Sequence, residues 1–271
     1  MAVVEHPCHG VGLGWRHELA DAIGDTLRVD FVEVLAEHCG LVPPREVAAL
    51  VEAGTPAVVH SVGLSLGSVE APDPVRLRRL ELLSEALQAP FASDHVAFAR
   101  HGDLDPRVLL PLPRTREALD VITDHVRITQ ASLPVPFAVE NAAASFEWPE
   151  SELDEIDFVC ELLDRTGCWP VLDVANLYAN CVNFGWDVTR WLTHLPLERV
   201  AYVHVAGGTW RGGRYHDTHA HDLDHGVLEL LAELLGPAGP GVMLERDRGF
   251  DVGAIGDELD QIERVRERAI G

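Results

Sequence analysis

Two kinds of apolar spacing alternate along the chain. Short runs of apolar and β-branched residues recur at 10–15, 29–37, 56–64, 90–98, 136–141, 170–176, 199–206 and 241–247. Between them the spacing turns helical. Leu80, Leu83 and Leu87 share one helix face, and Ile255, Leu259, Ile262 and Val265 share another. Pro43–Pro44 and Asp73–Pro74 mark helix starts. Pro56, Pro90, Pro136 and Pro170 each open a run, a place where a strand tolerates proline. Strict alternation of strand and helix predicts a parallel sheet. Eight such units, without a glycine-rich dinucleotide turn in the first, predict a closed (β/α)8 TIM barrel over an open doubly wound sheet. Barrels of that kind run to about 250 residues, so the 271 residues are expected to form one domain, 1–271. The segment 206–223 carries Gly207, Gly208, Gly212 and Gly213 and reads as a long loop. Loops of that length in a compact domain are usually functional.

Polar residues collect in the second half of the runs: Glu33 and Glu37, His60, Asp94 and His95, Glu140 and Asn141, Asp173 and Asn176, His204, Glu245 and Asp247. The carboxyl ends of barrel strands converge on one face, so these side chains are expected to meet in one mouth. Several carboxylates buried together are very costly unless cations compensate them. A single strand-end histidine is more often a hydrogen-bonded structural residue, but ligand-type residues on seven of eight runs are hard to explain as packing. The long loop adds His216, Asp217, His219, His221 and His225, of which Asp217 and His219 are the pair expected to bind. Imidazole with carboxylate suits iron, manganese or zinc. So many donors exceed one tetrahedral site and suit two or three ions bridged by a carboxylate.

Composition narrows the setting. Forty-four acidic against 21 basic residues give a formal charge of −23, which disfavours nucleic acid and anionic membranes as partners. Five cysteines without a CxxC pair argue against a disulfide framework and a thiolate zinc site. Residues 1–10 lack the pattern of a signal peptide, and no apolar run approaches the roughly 20 residues of a membrane span. A cytoplasmic protein is expected.

Ordered motifs then carry a resemblance. They are Gly10-Val-Gly-Leu-Gly14 with His17, Glu33-Val-Leu-Ala-Glu37, the stretch from His60 to Gly67, Ser93-Asp-His-Val-Ala-Phe98, Pro111-Leu-Pro113, Val139-Glu-Asn141, Leu172-Asp-Val-Ala-Asn176, Asn183-Phe-Gly-Trp-Asp187, His204-Val-Ala-Gly207, Asp217-Thr-His219 and Leu244-Glu-Arg-Asp247. Over about residues 10–250 the chain resembles the multinuclear non-heme iron-dependent oxidative enzymes, long grouped as a domain of unknown function and including the methanobactin biosynthesis oxygenase. The resemblance implies a (β/α)8 barrel with two or three iron ions, Fe2+ and Fe3+, at its mouth. It implies dioxygen as co-substrate and a ribosomally synthesised precursor peptide as substrate, commonly modified at cysteine, often with a leader-binding partner protein. By the same resemblance the ligands are His60, His95, Glu140, Asp173, Asn176, His204, Asp217, His219 and Glu245, with Glu140 bridging. Three positions depart from the family's pattern: Gly208 stands where the family usually has a second histidine, and Ala175 and Arg246 replace other motif residues. Two other readings share the mouth. One is a xylose-isomerase-like sugar isomerase, epimerase or phosphodiesterase using a divalent metal; the other is a non-catalytic metal-binding scaffold.

Overall fold

Strands β1 (Val11–Gly14), β2 (Phe31–Leu35), β3 (Ala57–His60), β4 (Ala92–His95), β5 (Phe137–Glu140), β6 (Trp169–Asp173) and β7 (Val203–Ala206) follow one another round a barrel, which β10 (Val242–Glu245) closes against β1. Every pairing is parallel. This computed structural model describes residues 8–102, 104–235 and 239–270. Helices α1 (Arg45–Glu52), α2 (Pro74–Ala86), α3 (Arg116–Ser132), α4 (Glu155–Thr166), α5 (Val174–Phe184), α6 (Val188–His194), α7 (His225–Leu234) and α8 (Val252–Ile270) make the return connections. The first connection is the exception: a 3-10 turn, His17–Leu19, replaces a helix there.

Local sequence explains the helix ends. Asp73 accepts from the Val75 amide and Pro74 begins α2, as its spacing predicts. Pro44 sits one residue outside α1, with extended backbone, instead of inside its first turn. Leu80, Leu83, Leu87, Ile255, Leu259 and Ile262 are buried in the core between barrel and helices, with Val265 packed at its edge.

A second apolar cluster lies inside the barrel: Cys8, Phe31, Val58, Phe91, Ala138, Val171, Ala201, Tyr202 and Met243. It fills the amino-terminal half of the lumen. Strand β1 contributes almost no side-chain volume there, because a Cβ on Gly12 would lie 2.6 Å from the Phe31 ring. Side chains on one face of a strand recur every second residue. Stepping two residues on from Phe31, Val58, Phe91, Ala138, Val171, Tyr202 and Met243 gives Glu33, His60, Ser93, Glu140, Asp173, His204 and Glu245, all buried. An apolar floor thus carries a polar layer directly above it.

The segment expected to be a loop, 206–223, is largely an antiparallel hairpin. Strands β8 (Gly208–Arg211) and β9 (Arg214–Asp217) pair across a Gly212–Gly213 turn, both glycines with positive φ. A two-residue turn with left-handed residues is the connection that alternating segments favour; the glycine pair was its signal. Asn183 on α5 pins the hairpin, donating to the Tyr215 carbonyl at 2.7 Å and accepting from its amide at 2.9 Å.

Candidate metal centre

Three groups of donor atoms overlap at the mouth. His60, His95 and Glu140 form the first; Glu140, Asp173, His204 and Glu245 the second; Asp173, Asp217 and His219 the third. Within each group the atoms lie within 4.8 Å of one another. Glu140 belongs to the first and second groups and Asp173 to the second and third, so two carboxylates join all three. Glu140 is ringed by imidazoles, with His204 Nδ1 at 3.2 Å, His95 Nε2 at 3.4 Å and His60 Nε2 at 3.6 Å. His219 stands between two acids, Nε2 2.5 Å from Asp217 Oδ2 and Nδ1 3.3 Å from Asp247 Oδ2. Its φ of 52° is the left-handed conformation, which histidine adopts more readily than most side chains.

The electrostatics describe a site built for cations. Burial alone would raise Glu140, but the adjoining His95 and His204 outweigh it and hold the carboxyl well below its usual range. Burial, with Asp217, Glu140 and Glu245 nearby, pushes Asp173 well above its usual range, and burial also raises Glu245 against the pull of His204 and His219. Against the same burial, Glu140 lifts His95 to about 9 and, with Glu245 and Glu33, holds His204 well above the usual imidazole range. His60, where burial prevails over Glu33 and Glu140, falls to about 4. Protons on imidazole therefore balance the carboxylates in the metal-free protein, standing where positive charge is needed. His95 Nδ1, His204 Nδ1, Glu140 Oε2, Asp173 Oδ2 and Asp217 Oδ1 are buried without a hydrogen-bond partner. Buried polar atoms are rarely left unsatisfied, and this set, all nitrogen and oxygen, fits hard or borderline divalent ions.

Eight of the nine residues expected as ligands fall in the three groups. Asn176 does not: its backbone amide donates to Asp173 Oδ1 and its side-chain amide to the Asn141 carbonyl. Several other strand-end residues also turn away from the cluster. Asp94 accepts from the Leu64 amide, and burial raises its carboxyl to about 7 despite His95. Glu37 accepts from Ser61 and Val62 and so shapes the turn after β3. Asn141 bonds both the amide and the carbonyl of Asp173, stapling β5 to β6. Asp247 divides its carboxylate, Oδ1 accepting from Arg16, which is 5 % exposed, and Oδ2 facing His219 of the cluster. Asp217 closes β9 and is therefore supplied by a strand, not by an open loop. His221 and His225 are exposed, with Thr218 and Glu229 as partners. Residues that the strand-end pattern left without a role are Glu33, whose Oε2 lies 3.0 Å from His204 Nε2, and Ser93, 2.8 Å from His60 Nδ1. The every-second-residue rule would have placed both in the polar layer.

Fold and site together define a (β/α)8 barrel with overlapping groups that could hold metal ions at the carboxyl ends of its strands. The family described as RiPP precursor modification enzyme MbnB/TglH/ChrH matches residues 10–267, and the chain belongs to that family. A UPF0276 protein of Streptomyces avermitilis is 45% identical over 96% of this chain, which spans only 55% of that longer protein. A UPF0276 protein of Rhizorhabdus wittichii is 34% identical over 99% of this chain and 97% of its own length. Among solved structures, endonuclease IV from Thermus thermophilus shares the fold with a TM-score of 0.60 at 22% identity, covering 97% of this chain and 99% of that one. The 3-keto-D-glucoside 4-epimerase of E. coli gives 0.59 at 16%, covering 96% and 99%. At such identities the likeness is one of fold, the xylose-isomerase-like barrel. Among the described residues no helix is long and apolar enough to cross a membrane.

Proposed function

We propose that this protein is an iron-dependent oxidative enzyme that uses dioxygen to modify a ribosomally synthesised precursor peptide at cysteine, in the cytoplasm and with a leader-binding partner protein. The observation that carries the reading is the sharing of Glu140 and Asp173 among three donor groups, in a chain of the precursor-modifying family. Two or three iron ions held there would supply one-electron and dioxygen chemistry that no side chain of this protein offers. His60, His95 and Glu140 would hold one ion, Glu140, Asp173, His204 and Glu245 a second, and Asp173, Asp217 and His219 a third, with Asn176 orienting Asp173.

The protein's own part is to desolvate and to orient. The apolar floor keeps water from beneath the polar layer, so the ligands are dry on one side and open only at the mouth. His219, 21% exposed, is the candidate ligand nearest solvent, so the third group faces incoming substrate. The rim offers apolar surface for a peptide: Phe146 is 38% exposed and Trp210 53%.

Metal analysis of protein expressed in iron-rich medium and purified without oxygen tests the reading, together with oxygen uptake on a cysteine-bearing candidate peptide and on its Cys→Ser counterpart. Two or three irons per chain and uptake only with the cysteine peptide are expected. Iron-free protein, or uptake indifferent to cysteine, overturns it.

A further inference from the structure

Beneath the donor groups, three buried side chains and four hydrogen bonds join His60 to His204. His60 Nδ1 lies 2.8 Å from Ser93 Oγ; Ser93 Oγ lies 2.8 Å from the Tyr202 hydroxyl; that hydroxyl lies 2.8 Å from Glu33 Oε2; and Glu33 Oε2 lies 3.0 Å from His204 Nε2. All five residues are at most 1% exposed. The direction of every proton in this path follows by elimination. A carboxylate oxygen can only accept, so Tyr202 and His204 Nε2 both donate to Glu33. The phenol has then spent its one proton and can only accept from Ser93. Ser93 has then spent its own, so the remaining bond must be donated by His60 Nδ1.

We propose that Glu33, through Tyr202 and Ser93, is the positioning residue that fixes which nitrogen of His60 and which nitrogen of His204 faces the cations. The ring nitrogens left to face the donor groups are His60 Nε2 and His204 Nδ1, the two atoms that lie 3.6 and 3.2 Å from Glu140. His204 is held through Nε2 and His60 through Nδ1, opposite ring positions, yet both rings deliver their free nitrogen to one carboxylate. One buried acid thus prepares the first and second groups together, directly on one side and through two hydroxyls on the other. Partners that orient a ligating histidine typically carry 10–100-fold in metal affinity. Tyr202 and Ser93 lie in the path only on the His60 side, which separates their effect from that of Glu33.

This inference rests on the ligand reading above. The test is anaerobic Fe(II) titration against a competing chelator, with nitrogen NMR of 15N-histidine-labelled metal-free protein. Wild type is expected to show His60 protonated on Nδ1. In Tyr202→Phe, Ser93 loses its acceptor and is free to donate to His60, so His60 switches to the Nε2–H tautomer. Binding at one position then falls about 10–100-fold, with His204 Nε2 still protonated. Ser93→Ala weakens the same position alone and Ser93→Thr, which restores a hydroxyl, recovers it; this pair carries the test if the Tyr202 variant fails to fold. Glu33→Gln weakens two positions. An unchanged His60 tautomer in Tyr202→Phe, or equal losses at every position in all variants, overturns the inference. Failure of the ligand reading looks different, because wild type itself then binds no iron.

Discussion

Glu140→Gln is the substitution whose outcome the geometry dictates most sharply. The change keeps volume and removes the charge that the first and second groups share. A protein whose ions each saturate a thousandfold above their dissociation constant gains about 4 kcal/mol per ion. With an unfolding entropy near 2.1 cal/mol/K per residue, a chain of 271 residues shifts its Tm by about 7 °C for each such ion. Three ions give roughly 20 °C between chelated and loaded protein. Glu140→Gln should keep only the third group, so the shift contracts to about 7 °C and iron falls to one per chain. Asp173→Asn should do the same by leaving only the first group. His95→Ala, which touches one group, should lose one ion and keep roughly 14 °C.

Differential scanning fluorimetry with and without chelator, paired with metal analysis of each sample, reads both quantities. Comparing each variant with its own metal-free form matters. Glu140 also balances His95 and His204 in the absence of metal, so the metal-free baseline itself moves. Glu140→Gln protein with full iron content and the full shift would refute the shared-carboxylate arrangement.

Other outcomes follow from residues outside the cluster. Gly12→Ala places a methyl 2.6 Å from the packed Phe31 ring and should cost about 1–3 kcal/mol, read as a lower denaturation midpoint at unchanged slope. Asn183→Ala unpins both backbone groups of Tyr215; faster amide exchange confined to the β8–β9 hairpin and weaker binding at the third position alone are expected, and unchanged exchange would count against the clamp. Burial raises the Glu155 carboxyl to about 8 against the pull of Arg114. A carboxyl whose folded value lies above its unfolded one stabilises while protonated, so its contribution is full below the unfolded value of 4.5 and is lost as pH rises from there through about 8. Glu155→Gln should flatten that decline between pH 5 and 8 in denaturant titrations.

Much of this architecture was legible in the chain because a barrel strand has only two faces and one end that matters. Alternating spacing gave the eight strands, acids and imidazoles at run ends gave six of the eight residues that the structure gathers, and the segment 206–223 gave the other two, Asp217 and His219. What stayed hidden has a common cause: spacing along one strand says nothing about which strand lies opposite. Glu33 and His204 are 171 positions apart, and Ser93 and Tyr202 are 109 apart; only closure of the barrel brings them together. Asp94 and His95 are neighbours that look equivalent as ligands, yet the pleat sends one to a loop amide and the other to Glu140. The hairpin was hidden for a different reason, since histidines and glycines read as an open loop until pairing places Gly208 opposite Asp217. The same closure explains why the polar layer can exist. Glu33, Glu140, Asp173 and Glu245 are not separately stable in the lumen; each is tolerated because neighbouring strands deliver His60, His95 and His204 beside it. The cluster is therefore a property of the closed ring, and the residues that hydrogen-bond its histidines belong to it as much as those whose donor atoms could hold a metal ion.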